Sequence, residues 1–145
     1  MTQDERNAFS QLFFVIYKDN QHASMLSLKL LDFVHAWDDQ YDEDKKIDNN
    51  ILLSALVDIG GSPLWTMDMA AHTKLVYIKW QASNKFEATK TQLEKSWMLR
   101  AAVYDIFVMI AEKLYGLAWA ESIATTVYEF YGESLSDFLK EINNA

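Results

Sequence analysis

An acidic run in the first third of the chain holds the residue types that could do chemistry. Five carboxylates fall within seven residues, from Asp38, Asp39 and Asp42 to Glu43 and Asp44. Carboxylate oxygens are the ligands that Mg²⁺ prefers, and each aspartate offsets part of the cation's charge. Because the run follows a strongly apolar segment of helical pattern, it marks either a metal site or the end of a helix.

On a helix, the acidic run continues a polar stripe that begins earlier in the chain. Successive residues advance by about 100°, so one side of the helix carries Asp32, His35, Asp39, Asp42 and Glu43, with Asp38 beside its edge. The stripe is either a ligand site or the solvated side of an amphipathic helix. Negative charge near a helix C-terminus is unfavourable for the helix dipole, although the following Lys45 and Lys46 can compensate.

Asp38, Asp39 and Asp42 spell D-D-x-x-D, which resembles the first metal-binding motif of class I isoprenoid synthases. The resemblance implies that these aspartates hold Mg²⁺ against a diphosphate. That family has a second motif on another helix, of Asn or Asp, then Ser or Thr, then Glu. Asp105 and Glu112 share a helix face here, but Tyr104 and Val108 stand where the motif expects polar residues, and the chain is much shorter than those enzymes. The metal ligands predicted from the sequence are Asp38, Asp39, Asp42, Asp105 and Glu112.

A second enzymatic interpretation is an all-α nucleotide pyrophosphohydrolase. Such small bundles present carboxylates from adjacent helices to Mg²⁺ and a triphosphate. Their sequences carry a motif that resembles E-x-x-E followed by a downstream E-x-x-D. This chain offers Asp39-x-x-Asp42 without a clear second pair. Mg²⁺-dependent hydrolysis of a nucleotide or diphosphate is therefore the enzymatic alternative, with no catalytic residue assigned.

The remaining polar candidates have structural explanations. His22, His35 and His72 form no ligand pair within one helix, which is typical of surface histidines. Asp105 lies among apolar residues, so we expect it to be partly buried and to need Arg100, Lys113 or a cation as its partner.

Composition limits the classes of partner. The net charge is −8, and the 13 basic residues are dispersed, which argues against nucleic-acid binding. The chain has no cysteine, no basic and apolar leader, and no apolar run long enough to cross a membrane. We expect a cytoplasmic protein without nucleic-acid or membrane partners.

The scarcity of helix breakers predicts an all-α fold. One proline and four glycines occur in 145 residues, and half of the residues are hydrophobic. Thr2 and Glu5 form a capping box for the first helix, and Ser62-Pro63 is typical of a helix start. The sequence predicts one domain over 1–145, a bundle of six or seven helices with approximate ranges 2–18, 22–42, 50–59, 63–83, 87–115, 117–131 and 135–143.

Several short segments together resemble small, largely uncharacterised helical proteins of tailed bacteriophages. They are W-D-D-x-x-D-x-D-K from Trp37, Gly-Ser-Pro-Leu-Trp from Gly61, Trp-Met-Leu-Arg from Trp97 and Gly-Leu-Ala-Trp-Ala from Gly116. The resemblance implies a viral context, and hence the host cytoplasm, rather than an activity.

No complete catalytic constellation accompanies the acidic run, so the sequence favours an interaction protein over an enzyme. The expected partner is a host or virion protein that contacts the acidic surface from Asp38 to Asp44. Aromatic residues make up 14% of the chain, more than short helices readily bury, which also predicts a homo-oligomer.

Overall fold

The computed structural model describes residues 1–42 and 49–144, and within these ranges every regular element is a helix. The all-α class is confirmed, but these ranges contain eight helices rather than six or seven. They are α1 (Gln3–Ile16), α2 (Gln21–Tyr41), α3 (Asn49–Gly60), α4 (Met67–Thr89), α5 (Leu93–Arg100), α6 (Val103–Tyr115), α7 (Leu117–Glu129) and α8 (Leu135–Asn144). Among the described residues, no helix is both long and apolar enough to span a membrane.

Contacts between residues divide the chain into two compact units, Met1–Met67 and Asp68–Ala145. The first unit contains α1 to α3, and the second contains nearly all of α4 together with α5 to α8. The expectation of one domain over 1–145 stays a prediction.

The first unit is built on an antiparallel pair, α1 and α2. The capping box at the start of α1 is confirmed, because the Thr2 hydroxyl accepts from the Glu5 N–H and the Glu5 carboxylate accepts from the Thr2 N–H. Lys18 and Asp19 then adopt positive φ values, and the Asn20 side chain caps α2. The buried stripe of α1 consists of Phe9, Leu12, Phe13 and Ile16.

Aromatic rings stack along the buried side of α1, and one buried hydrogen bond joins the end of this helix to α2. Phe13 stacks on Phe9 and on Tyr17, with ring centroids 5.9 and 5.6 Å apart. Tyr17 is fully buried, and its hydroxyl lies 2.7 Å from the Ser27 hydroxyl on α2. Burial of each large apolar side chain contributes about 1.5–3 kcal/mol, so this stack is a main stabilising element of the unit.

The core of the second unit lies on α6. Six of its residues are buried, and α6 packs on α7 while α5 packs on α8. Gly116, at φ +89°, separates α6 from α7, as its position between two apolar segments predicts. Ser134 caps the last helix, since its hydroxyl accepts from the Asp137 N–H at 3.1 Å.

Polar contacts attach α4 to its neighbours. Ser83 and Ser96 are fully buried, and each hydroxyl donates to the other residue's carbonyl oxygen, at 3.0 and 2.9 Å. This reciprocal pair joins α4 to α5. Only Met69 and Ser83 of α4 are buried, so most of this helix keeps some exposure to solvent.

The predicted start and end of the fourth helix are wrong. Ser62 to Trp65 form a turn in which the Trp65 N–H donates to the Ser62 carbonyl, and the helix begins only at Met67. At the other end, the predicted break at Ser83 is absent because that hydroxyl is paired inside the unit and does not compete with the helical backbone. The chain breaks later, where Lys90 and Gln92 have φ near 50°.

The predicted helix over 87–115 is two helices. Ala101 and Ala102 form a turn between α5 and α6, with N–H groups bonded three residues back to Met98 and Leu99. Alanine is the best helix former, so packing of the flanking helices overrides local propensity at this point.

Candidate functional site

The polar stripe of α2 lines an open groove within the first unit. Asp32, His35 and Asp39, at positions i, i+3 and i+7, face it from α2. The groove has a volume of about 580 Å³, and its remaining lining is Met1, Lys29, Ala36, Asn50, Ile51, Ser54 and Ala55. Its volume is within the usual range of about 300–1,000 Å³ for small-molecule sites.

Ion pairs engage two charged residues of this groove. Arg6 on α1 donates to the Asp32 carboxylate, and Lys29 lies 3.1 Å from the Asp58 carboxylate on α3. These pairs connect α2 to both of its neighbours in the unit. Both ion pairs therefore stabilise the packing of the three helices. Each also neutralises a charge in the groove that could otherwise bind a ligand.

His35 sits at the edge of the groove with charges of both signs around it. His35 keeps exposed surface, but partial loss of water around the imidazole holds its pKa below the ordinary value, and the amino group of Met1 acts in the same direction. The carboxylates of Glu5, Asp38 and Asp39 act weakly in the opposite direction. Neutral imidazole is the favoured form near neutral pH, and it could accept a hydrogen bond or bind a metal.

The three aspartates of D-D-x-x-D lie at the C-terminal end of α2. Asp38 and Asp39 are partly exposed, and Asp39 alone of the three lines the groove. Asp42 is the C-cap residue, and its N–H donates to the Asp38 carbonyl at 2.9 Å. Glu43 and Asp44 lie outside the described residues.

Asp105 has a protein partner on each carboxylate oxygen. Lys79 on α4 donates to one oxygen at 2.6 Å, and the Tyr128 hydroxyl on α7 donates to the other at 2.7 Å. The prediction of a partly buried, paired Asp105 is confirmed. Of the partners expected for it, Arg100 binds Glu87 and Lys113 binds Asp68. A cation at Asp105 stays a prediction. Burial, and then Asp105 itself, raise the pKa of Tyr128.

Glu112 lies two turns beyond Asp105 on α6 and is exposed. Within residues 1–42 and 49–144, no three histidine, aspartate or glutamate side chains form a group able to hold a metal ion. Asp38, Asp39 and Asp42 belong to the first unit, whereas Asp105 and Glu112 belong to the second. The five-residue magnesium set stays a prediction.

A surface that the sequence reasoning missed lies on α3. Leu53, Leu56 and Val57 are 60, 50 and 65% exposed, on the side of the helix opposite the buried Ala55. We call these three residues the α3 outer face. Its signal in the sequence is an apolar helix interrupted only by Ser54 and Asp58 after its first turn, which leaves apolar residues on both sides.

Comparison with known proteins gave no relative. No protein-family model, curated protein or solved structure matches the chain. The resemblance to small phage proteins stays a prediction.

Proposed function

We propose that the protein is an acidic interaction protein that binds a protein partner through the α3 outer face. The observation that carries the proposal is the exposure of Leu53, Leu56 and Val57 at positions i, i+3 and i+4. A helix that is apolar all round is ordinarily buried, whereas α3 buries only Ala55 and Ile59. Gly60 extends the same side by one turn and leaves open space beside its backbone.

Charge supports a basic partner. Residues 1–67 contain eleven acidic and five basic residues, so they carry −6 of the total charge of −8. An apolar face on an acidic unit fits an amphipathic helix whose apolar stripe is flanked by Lys or Arg. Within this proposal, the resemblance to small phage proteins favours a host or virion protein in the host cytoplasm as the partner.

The experiment uses two designed peptides of equal length, one of Leu and Lys and one of Leu and Glu, each patterned as an amphipathic helix. Isothermal titration calorimetry should detect binding of the Leu/Lys peptide, and binding should weaken at high salt because exposed charges are screened. The double variant L53E/V57E should weaken binding about tenfold or more, which corresponds to about 1.4 kcal/mol.

The control is L117E, which places a single glutamate at a leucine that is 66% exposed on α7. It should bind the Leu/Lys peptide as the wild type does. Equal binding of both peptides, or equal loss in L117E and L53E/V57E, would contradict the proposal. Circular dichroism of each variant confirms that the helices are intact.

The alternative function is Mg²⁺-dependent hydrolysis of a nucleotide or diphosphate. The observation in its favour is the groove of about 580 Å³ with Asp32, His35 and Asp39 along one wall. Asp38, Asp39 and Asp42 would hold Mg²⁺ in this alternative, because oxygen ligands one helical turn apart can share a hard cation.

A further inference from the structure

One side of α4 carries a second apolar surface. Ala71, Leu75, Ile78 and Ala82 form what we call the α4 outer stripe. Leu75 and Ile78 are 49 and 59% exposed, Ala71 is exposed, and Ala82 is partly exposed. The buried Met69 and Ser83 lie on the opposite side of the helix, so contacts within the unit leave the stripe uncovered.

The stripe has the spacing of a coiled-coil seam and a charge at each end. Asp68, the four stripe residues and Lys85 follow one another at alternating spacings of three and four residues. The segment is about 25 Å long, at about 1.5 Å per residue. Asp68 is 77% exposed at its side chain, while one of its oxygens accepts from Lys113.

We propose that two copies of the chain form a dimer by antiparallel pairing of α4, with the twofold axis between Val76 and Tyr77. In this register Leu75 packs on Ile78 of the second copy and Ala71 packs on Ala82. Asp68 meets Lys85 of the second copy at both ends of the seam. The two alanine layers allow the backbones to approach closely.

Charge selects this arrangement over its competitors. A parallel pair would place Asp68 against Asp68 and Lys85 against Lys85, and like charges repel. An antiparallel pair shifted by one heptad would place Asp68 against Ile78, or Lys85 against Leu75, and would desolvate a charge without a partner. Only the register centred between Val76 and Tyr77 joins opposite charges at both ends.

The first experiment uses disulfide cross-linking, for which the absence of native cysteine gives a clean background. Chains carrying A71C and differently tagged chains carrying A82C are mixed and oxidised. The proposal expects disulfides between A71C and A82C chains in excess of disulfides between two A71C chains. In this register two copies of position 71 lie about 16 Å apart along the axis, beyond the reach of a disulfide.

The second experiment measures the dissociation constant of the dimer by sedimentation equilibrium. K85D should raise it about tenfold, because Asp68 then faces a like charge at both ends. K95D is the matched control, since it makes the same charge change at an exposed residue of α5 outside the stripe.

A strict monomer at high concentration, preferential A71C to A71C cross-links, or equal effects of K85D and K95D would each overturn the proposal. The outcome is independent of the proposed function, because these variants lie on α4 and the peptide experiment concerns α3.

Discussion

Single residues decide between the binding and enzymatic interpretations of the acidic end of α2. Asp39 is the member of D-D-x-x-D that lines the groove, whereas Asp105 already binds Lys79 and Tyr128. A carboxylate that is paired with a lysine mainly stabilises the fold. It would act as a metal ligand only if a metal ion also bound to it. The two aspartates therefore give different expectations for the same amide substitution.

The enzymatic alternative predicts that millimolar Mg²⁺ raises the melting temperature of the wild type, because a ligand of the native state stabilises it by mass action. D39N should abolish this increase, while D19N, in the exposed turn before α2, should retain it. D105N should lower the melting temperature equally with and without Mg²⁺. Differential scanning calorimetry measures all four proteins, and a wild type that is insensitive to Mg²⁺ would eliminate the alternative.

A hydrolysis assay tests the enzymatic alternative directly. If the purified protein cleaves a nucleoside triphosphate only with Mg²⁺ and D39N does not, the interaction function is wrong.

At the scale of elements, the attachment of α4 to α5 depends on two small hydroxyls. Ser83 and Ser96 exchange hydrogen bonds with each other's carbonyls in a site with no exposed surface. S96A should lower the free energy of unfolding by about 1 kcal/mol, because the buried hydrogen bond from the Ser96 hydroxyl to the Ser83 carbonyl is lost. Urea unfolding measures this change.

The control for that prediction is S122A. Its hydroxyl donates to the Trp119 carbonyl on the exposed side of α7, so the change should remain within about 0.5 kcal/mol. Equal losses in S96A and S122A would show that the buried pair has no special role.

The sequence predicts the elements well where the signal is local. Several local signals mark helix ends correctly, because each acts through its own backbone or side chain. They are the Thr2 capping box, the Asn20 region, Gly116 and Ser134. The turn at Ala101-Ala102 and the positive φ values at Lys90 and Gln92 have no such signal. Local residue type does not mark either break, since alanine favours helix and neither Lys90 nor Gln92 is a glycine.

The candidate site was predictable only in part, for the same reason. Helical spacing placed Asp32, His35 and Asp39 on one side of α2, and all three line the groove. The partners of Asp105 and the exposed side of α3 depend on which helices meet. Helical periodicity alone contains no information about that choice.

At the scale of the whole molecule, the proposed dimer makes stability depend on concentration. A dimer that dissociates on unfolding gains stability by mass action as the chain concentration rises. Raising the concentration on the order of a hundredfold should increase the melting temperature of the wild type, and K85D should reduce that dependence. Scanning fluorimetry over the dilution series provides the measurement, and a melting temperature independent of concentration would count against the dimer.

The α3 outer face has a further consequence in such a dimer, because each dimer would carry two copies of this face. One dimer could bind two copies of a partner that is repeated at regular intervals, as in a symmetric assembly. The second attachment is then intramolecular, and avidity can exceed the affinity of a single contact by about 10²–10⁴. Three leucine and valine side chains would then suffice for firm capture of a repeating target while a solitary copy of the same target is released.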